Sequence, residues 1–210
     1  MPYNSNRLNV IRYTLYAPAY SWSAKVLEGS RARSIEKLDV QAGEKVLIVG
    51  AGTGNDLDHL PMGCRITATD ITPAMVRRIE KRNKTLNHQL EALVMDGHKH
   101  PYNNNTFDKI ILHLILTVIP NPVKALQEAE RLLKPGGRIV VFDKFIPNGK
   151  KASLVRKFFN LFTTVLFSSL TLNFEQILSH TRLRVVSDDK ADLKGYFRII
   201  LLEKAGTTSF

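Results

Sequence analysis

Three glycines and two acids carry the chemistry for which this chain can be read. Gly50, Gly52 and Gly54 follow directly on the aliphatic run Val46-Leu47-Ile48-Val49. A strand that stops on glycines lets its backbone turn tightly and lie against a charged small molecule, because no Cβ stands in the way. The ligand's anionic groups would then face the N-terminus of a helix expected from about Asn55. The spacing is G-x-G-x-G, with Asn55 where a dinucleotide fold would place its third glycine, which favours an adenosine ligand other than a nicotinamide dinucleotide. Asp70 closes the second apolar run, residues 64–70, twenty positions after Gly50. A carboxylate there can accept hydrogen bonds from both ribose hydroxyls of an adenosine lying across the strand tips. Asp96, followed by Gly97, closes a third run, residues 90–95. It stands where the adenine amino group would lie if Asp70 holds the ribose, although an aspartate before glycine is also a common turn or cap residue.

Other polar residues give weaker signals. His98 and His100 are two apart, but no third ligand stands near them, so no metal site is expected. His113 lies inside the most apolar run of the chain, residues 109–119, where a histidine is either a packed residue with one satisfied hydrogen bond or a proton carrier. Tyr16 and Tyr20 flank Pro18 in an aromatic segment that ends at Trp22.

These residues need a scaffold, and the periodicity supplies one. Apolar strands are expected at 46–49, 64–70, 90–95, 109–119 and 138–142. Between them run a helix from Thr72-Pro73 to about Asn83, with Thr72 as cap, and a second helix over residues 123–133. Strands alternating with helices imply right-handed crossovers and an α/β doubly wound, mostly parallel sheet. The rhythm then changes to an apolar helical region over 152–178 and two strands, 183–187 and 195–202, close enough in sequence to pair as a hairpin at the sheet edge. Residues 1–43 form a separate N-terminal helical segment: a lid over the site, an interfacial membrane-contact helix, or a helix packed on the sheet. Residues 44–210 form the catalytic-type domain.

Size and composition narrow the function. A chain of 210 residues, 44% hydrophobic and 23% charged, holds one α/β domain with a substantial core. The single cysteine, Cys64, excludes an internal disulfide and fits a reducing, cytoplasmic setting. The net charge of +11 leaves nucleic acid, an anionic membrane surface and acidic substrates open as partners. No secretory signal is visible, and the longest uncharged window, 158–174, carries too many Asn, Ser and Thr residues to span a bilayer. Contact with a membrane would therefore be peripheral, on its inner face.

The segments VLIVGAGTG, TATD, MDGHKHPYNNNTFD, ILTVIPNP and LLKPGGRIVVFD, in this order and spacing over roughly residues 40–145, resemble the class I S-adenosylmethionine-dependent methyltransferases. The resemblance implies S-adenosylmethionine as cofactor and a seven-stranded sheet whose last strand is antiparallel. It places Gly50, Gly52 and Gly54 beneath the methionine part, Asp70 on the ribose, and Asp96 with Gly97 near the adenine, with Ala51 and Ile71 also among the cofactor-binding residues. Where the family commonly has an acid two residues before the first glycine this chain has Ile48, and Asp56 is a nearby polar group that would compensate. YAPAYSW, Leu60-Pro61 and LTVIPNP are similar to bacterial phosphatidylethanolamine N-methyltransferases, and quinone-ring methyltransferases share the general layout; Tyr20 is followed by Ser21 where that family usually has aspartate. The implied acceptor is a lipid amine or a small hydrophobic molecule. A phospholipid ammonium must lose a proton before it can attack, and Tyr16, Tyr20 and His113 are the candidate catalytic residues. Nucleic-acid methylation rests on charge alone, and Leu116-Thr-Val-Ile-Pro120 lacks the Asn/Asp-Pro-Pro-Tyr pattern that grips a flipped base. A cofactor-binding protein without transfer activity is the non-enzymatic alternative.

Overall fold

Strict alternation of aliphatic side chains decides the architecture. In β1 (Lys45–Val49), Val46 and Ile48 point to one face of a sheet while Leu47 and Val49 point to the other, and all four are buried. A strand buried on both faces needs a layer on each side. The computed structural model describes residues 27–145, 172–191 and 197–206, and supplies both layers.

Seven strands form one sheet in the order β3-β2-β1-β4-β5-β7-β6. The others are β2 (Arg65–Asp70), β3 (Gln89–Val94), β4 (Phe107–His113), β5 (Leu133–Lys144), β6 (Arg184–Lys190) and β7 (Phe197–Glu203). β1 pairs in parallel with β2 and β4, so Val49 lies beside Thr69, and β2 pairs in parallel with β3. The chain reverses direction beside β1, and a ligand site is expected outside the carboxyl ends of the strands at such a switch point. β7 runs antiparallel to β5, and β6 pairs with it as the edge hairpin. The doubly wound, mostly parallel sheet with an antiparallel terminal hairpin agrees with the sequence reading.

On one face, α1 (Glu28–Leu38) and α2 (Pro73–Leu86) cover the sheet, with Ile35, Leu38 and Ile79 packed against Val46, Ile48, Ile66, Ile111, Val140 and Phe142. On the other, α3 (Pro122–Leu132) and the short α4 (Phe174–Leu178) lay Leu126, Ala129, Phe174 and Ile177 on Leu47, Ile110, Leu112, Ile139 and Val141. Each fully buried side chain of this size contributes about 1.5–3 kcal/mol of transfer free energy. Residues 28–38 thus pack on the sheet, one of the arrangements open for the N-terminal segment. Tyr16 and Tyr20, and the expected helix over 152–178 up to residue 171, lie outside the described residues.

Three expectations change. β4 stops at His113 instead of continuing to residue 119, because Leu114 takes a left-handed conformation with φ 57° and the chain turns through residues 115–119. The helix expected from Asn55 is a single 3₁₀ turn, Asn55–His59, opened by Gly54 at φ 80°. At the start of α2, Thr72 provides no side-chain cap; its N–H instead donates to Asp70 Oδ1 at 2.8 Å.

Candidate active site

The tips of β1, β2, β3 and β4 open into one cleft, lined by Gly50, Gly52, Asp70, Ile71, Met75, Met95, Asp96, Gly97 and His113, and by the turn after β4. Its geometry begins at the glycine turn. Ala51 N–H donates to Thr69 O at 2.9 Å, which ties the turn to β2, and Gly52 N–H donates to Asp70 Oδ2 at the same distance. Asp70 is therefore held at both oxygens, by Gly52 on one side and Thr72 on the other. Each carboxylate oxygen has a second lone pair, so the group can still accept two hydroxyls from the cleft. Burial pushes the Asp70 carboxyl above its ordinary range, against the pull of the Thr72 and Gly52 N–H groups. Gly52 has φ 56°, and the space where its Cβ would stand is open.

At the tip of β3, Asp96 Oδ1 accepts from the His98 N–H at 3.0 Å and lies 2.6 Å from His98 Nδ1. Gly97 is packed so closely that a Cβ would lie 2.9 Å from Val49 Cγ1 and 3.0 Å from Ile119 Cδ1. This is where glycine is required at the β3 tip.

The turn over residues 114–119 forms an apolar lip, and Leu114, Ile115, Val118 and Ile119 face the cleft. Ile115 lies over Gly50, where an added Cβ would come within 2.6 Å of its Cδ1. The lip is anchored from below by Asp143, a fully buried acid at the end of β5 that accepts from Thr117 N–H at 3.1 Å and from Thr117 Oγ at 2.7 Å. Burial raises the Asp143 carboxyl, opposed by those Thr117 bonds and by the Lys144 N–H.

Beneath His113 is a buried polar cluster that joins three segments. Asp56, from the 3₁₀ turn, forms an ion pair with Arg31 of α1 and lies 2.7 Å from His113 Nδ1, while His113 Nε2 is 2.8 Å from Ser34 Oγ. Burial alone would raise the Asp56 carboxyl, but Arg31 and His113 together overcome it and hold it well below the usual carboxylate range. Both nitrogens of His113 thus have protein partners, and the ring packs edge-to-face on Phe142. Asp56 is committed to this cluster and is not part of the cleft wall, so it does not take the place of the acid missing at position 48. Ile48 itself is a core residue.

Residues 47–141 match a family model described as a methyltransferase domain. Over these residues the chain carries a methyltransferase domain, and its activity is that of an S-adenosylmethionine-dependent methyltransferase. Among characterised relatives, this methyltransferase is 24% identical over 182 residues to a phosphatidylethanolamine N-methyltransferase from Cereibacter sphaeroides, covering 86% of this chain and 89% of the relative. It is 29% identical over 160 residues to a demethylmenaquinone methyltransferase from Paenarthrobacter aurescens, covering 73% of this chain but only 59% of that one. A crystal structure of an S-adenosylmethionine-dependent methyltransferase from Aquifex aeolicus superposes with a TM-score of 0.63 at 19% identity, covering 84% of this chain and 90% of that one, and shares the fold.

The cleft of the methyltransferase fits S-adenosylmethionine on its own chemistry. Asp70 presents acceptor capacity at one strand tip and Asp96 at the next, Gly52 leaves room for backbone approach, and Ile71, Met75 and Met95 supply an apolar surface for an adenine ring. The formally charged side chains among the lining residues are the two aspartates, which suits a cationic sulfonium and disfavours a phosphate-bearing dinucleotide. Of the expected cofactor residues, Gly50, Gly52, Asp70, Ile71, Asp96 and Gly97 meet in this cleft. Ala51 is instead buried in the α1/α2 layer, and Gly54 sits at the head of the 3₁₀ turn, where a Cβ would press on Leu57 and the backbone of Ile79. Reading the sequence missed Met75, Met95 and the whole lip. The Thr-Pro helix start and the apolar residue just before Asp96 were signals for the two methionines; lip residues 115–119 stand in ILTVIPNP, a segment that carries the resemblance, but nothing in it marked a turn facing the cleft.

Proposed function

We propose that this methyltransferase N-methylates a phospholipid amine, phosphatidylethanolamine, at a membrane surface. The observation that carries the reading is the reach of the likeness to the Cereibacter enzyme, which extends over 86% of this chain and 89% of that one and so runs past the cofactor-binding segment 47–141. Bound S-adenosylmethionine supplies an electrophilic methyl on a positively charged sulfur. The chain's part is to hold the donor by Asp70 and Asp96 and to bring the acceptor nitrogen in line with little water present. The aliphatic lip Leu114, Ile115, Val118 and Ile119 supports that role, because a low-dielectric wall favours the neutral amine, which has the lone pair, over the ammonium ion. His113 enters this reading as a fixed part of the wall, its nitrogens being engaged by Asp56 and Ser34. The excess of basic residues, net +11, is complementary to anionic lipid, and among the described residues no helix is long and apolar enough to cross a membrane.

The test is incubation with methyl-labelled S-adenosylmethionine and liposomes of phosphatidylglycerol with phosphatidylethanolamine. The reading predicts label in the extracted lipid, rising with phosphatidylethanolamine content. Cofactor binding without lipid label would remove it. A second reading, methylation of a quinone-like ring, is favoured by the demethylmenaquinone methyltransferase likeness. It predicts label in an added demethylquinone without any amine lipid.

A further inference from the structure

We propose that His98 is a positioning residue for the cofactor: its imidazole latches the loop that carries Asp96 and Gly97 to the start of α3, and so sets the adenine side of the cleft. Nothing in the sequence beyond a rejected metal reading drew attention to this histidine.

The protonation pattern follows from the partners. Asn121 N–H, 3.1 Å from His98 Nε2, can only donate, so Nε2 must present a lone pair. Nδ1, 2.6 Å from Asp96 Oδ1, then carries the ring's proton and donates it to the carboxylate. One neutral tautomer therefore satisfies both contacts and no other state does. The same Asp96 oxygen also receives the His98 N–H, which fixes the plane of the carboxylate.

An independent contact lies along the same seam. Gly97 is packed against Ile119, a cleft-lining residue two positions before Asn121. The lip is thus secured near Thr117 by buried Asp143 and at its far end by His98. The His98 side chain is 17% exposed and that of Asp96 44%, so the latch lies at the rim of the cleft, with Asp70 on the neighbouring tip. Removing the imidazole takes away the acceptor for Asn121 N–H and one of the donors that hold the Asp96 carboxylate, and both losses loosen the adenine side.

The experiment is calorimetric titration with S-adenosylhomocysteine, whose uncharged sulfur keeps sulfonium electrostatics out of the result. His98→Ala is expected to bind about tenfold more weakly than wild type. His98→Gln, whose amide oxygen can accept from Asn121 N–H, should stay within about threefold of wild type. Thermal melts of each variant separate folding from binding. Equal affinity of His98→Ala and wild type, or a loss in His98→Gln as large as in His98→Ala, overturns the proposal.

Discussion

Asp70 is the residue on which we propose cofactor binding turns, because it is the carboxylate in the cleft that two backbone N–H groups hold. A charge-assisted hydrogen bond is worth roughly 1.5–3 kcal/mol. Asp70→Ala should therefore weaken S-adenosylhomocysteine binding by about 10- to 100-fold in calorimetry. Because burial raises this carboxyl, its protonated form appears at a higher pH than for an ordinary aspartate, and binding that needs the carboxylate is lost correspondingly early as pH falls. Asp56 has the opposite sign. Its folded-state carboxyl is held low by Arg31 and His113, so it contributes stability that is fully present above the ordinary value of about 3.9 and is lost only as pH falls toward the folded one. Asp56→Asn removes the buried negative charge shared by Arg31 and His113 and should cost about 3–5 kcal/mol in denaturant unfolding at neutral pH. Asp70 and Asp96 were legible in the sequence because an acid closing an apolar run must sit at a strand tip. The Asp56 cluster was not, because its members come from three distant segments and only packing brings them together.

The lip after β4 is the element that the sequence conceals. Residues 109–119 are almost uniformly aliphatic, and such a run satisfies a buried strand and a buried turn equally well. What separates them is Leu114 at φ 57°, a conformation that a glycine or asparagine would have advertised. The hydrogen bonds that hold the turn, from Thr117 to Asp143 and from Asn121 to His98, join residues more than twenty positions apart and leave no local pattern. Gly97 tests the seam between lip and β3 tip. Gly97→Ala should cost about 1–3 kcal/mol by overpacking, read from thermal or chemical unfolding. Adding Ile119→Ala should recover part of that loss, because the two side chains compete for the same space.

At the scale of the whole molecule, the doubly wound sheet and the terminal hairpin could be read in advance, since apolar runs broken by glycine or proline mark the strands and right-handed crossovers specify the winding, while the strand order comes from the structure. The same winding places three strand tips side by side, and this makes the cleft a property of the fold more than of any loop. Ligand linkage follows: S-adenosylhomocysteine at about 100 times its Kd should stabilise the protein by about 2.7 kcal/mol, a rise in Tm of roughly 5–10 °C for a domain of this size. The most direct measurement is a crystal structure grown with S-adenosylhomocysteine. The nucleoside should lie across the tips of β1, β2 and β3, with its ribose hydroxyls on Asp70 and its adenine beside Asp96. A ligand bound elsewhere, or a cleft left vacant at saturating ligand, would contradict the account.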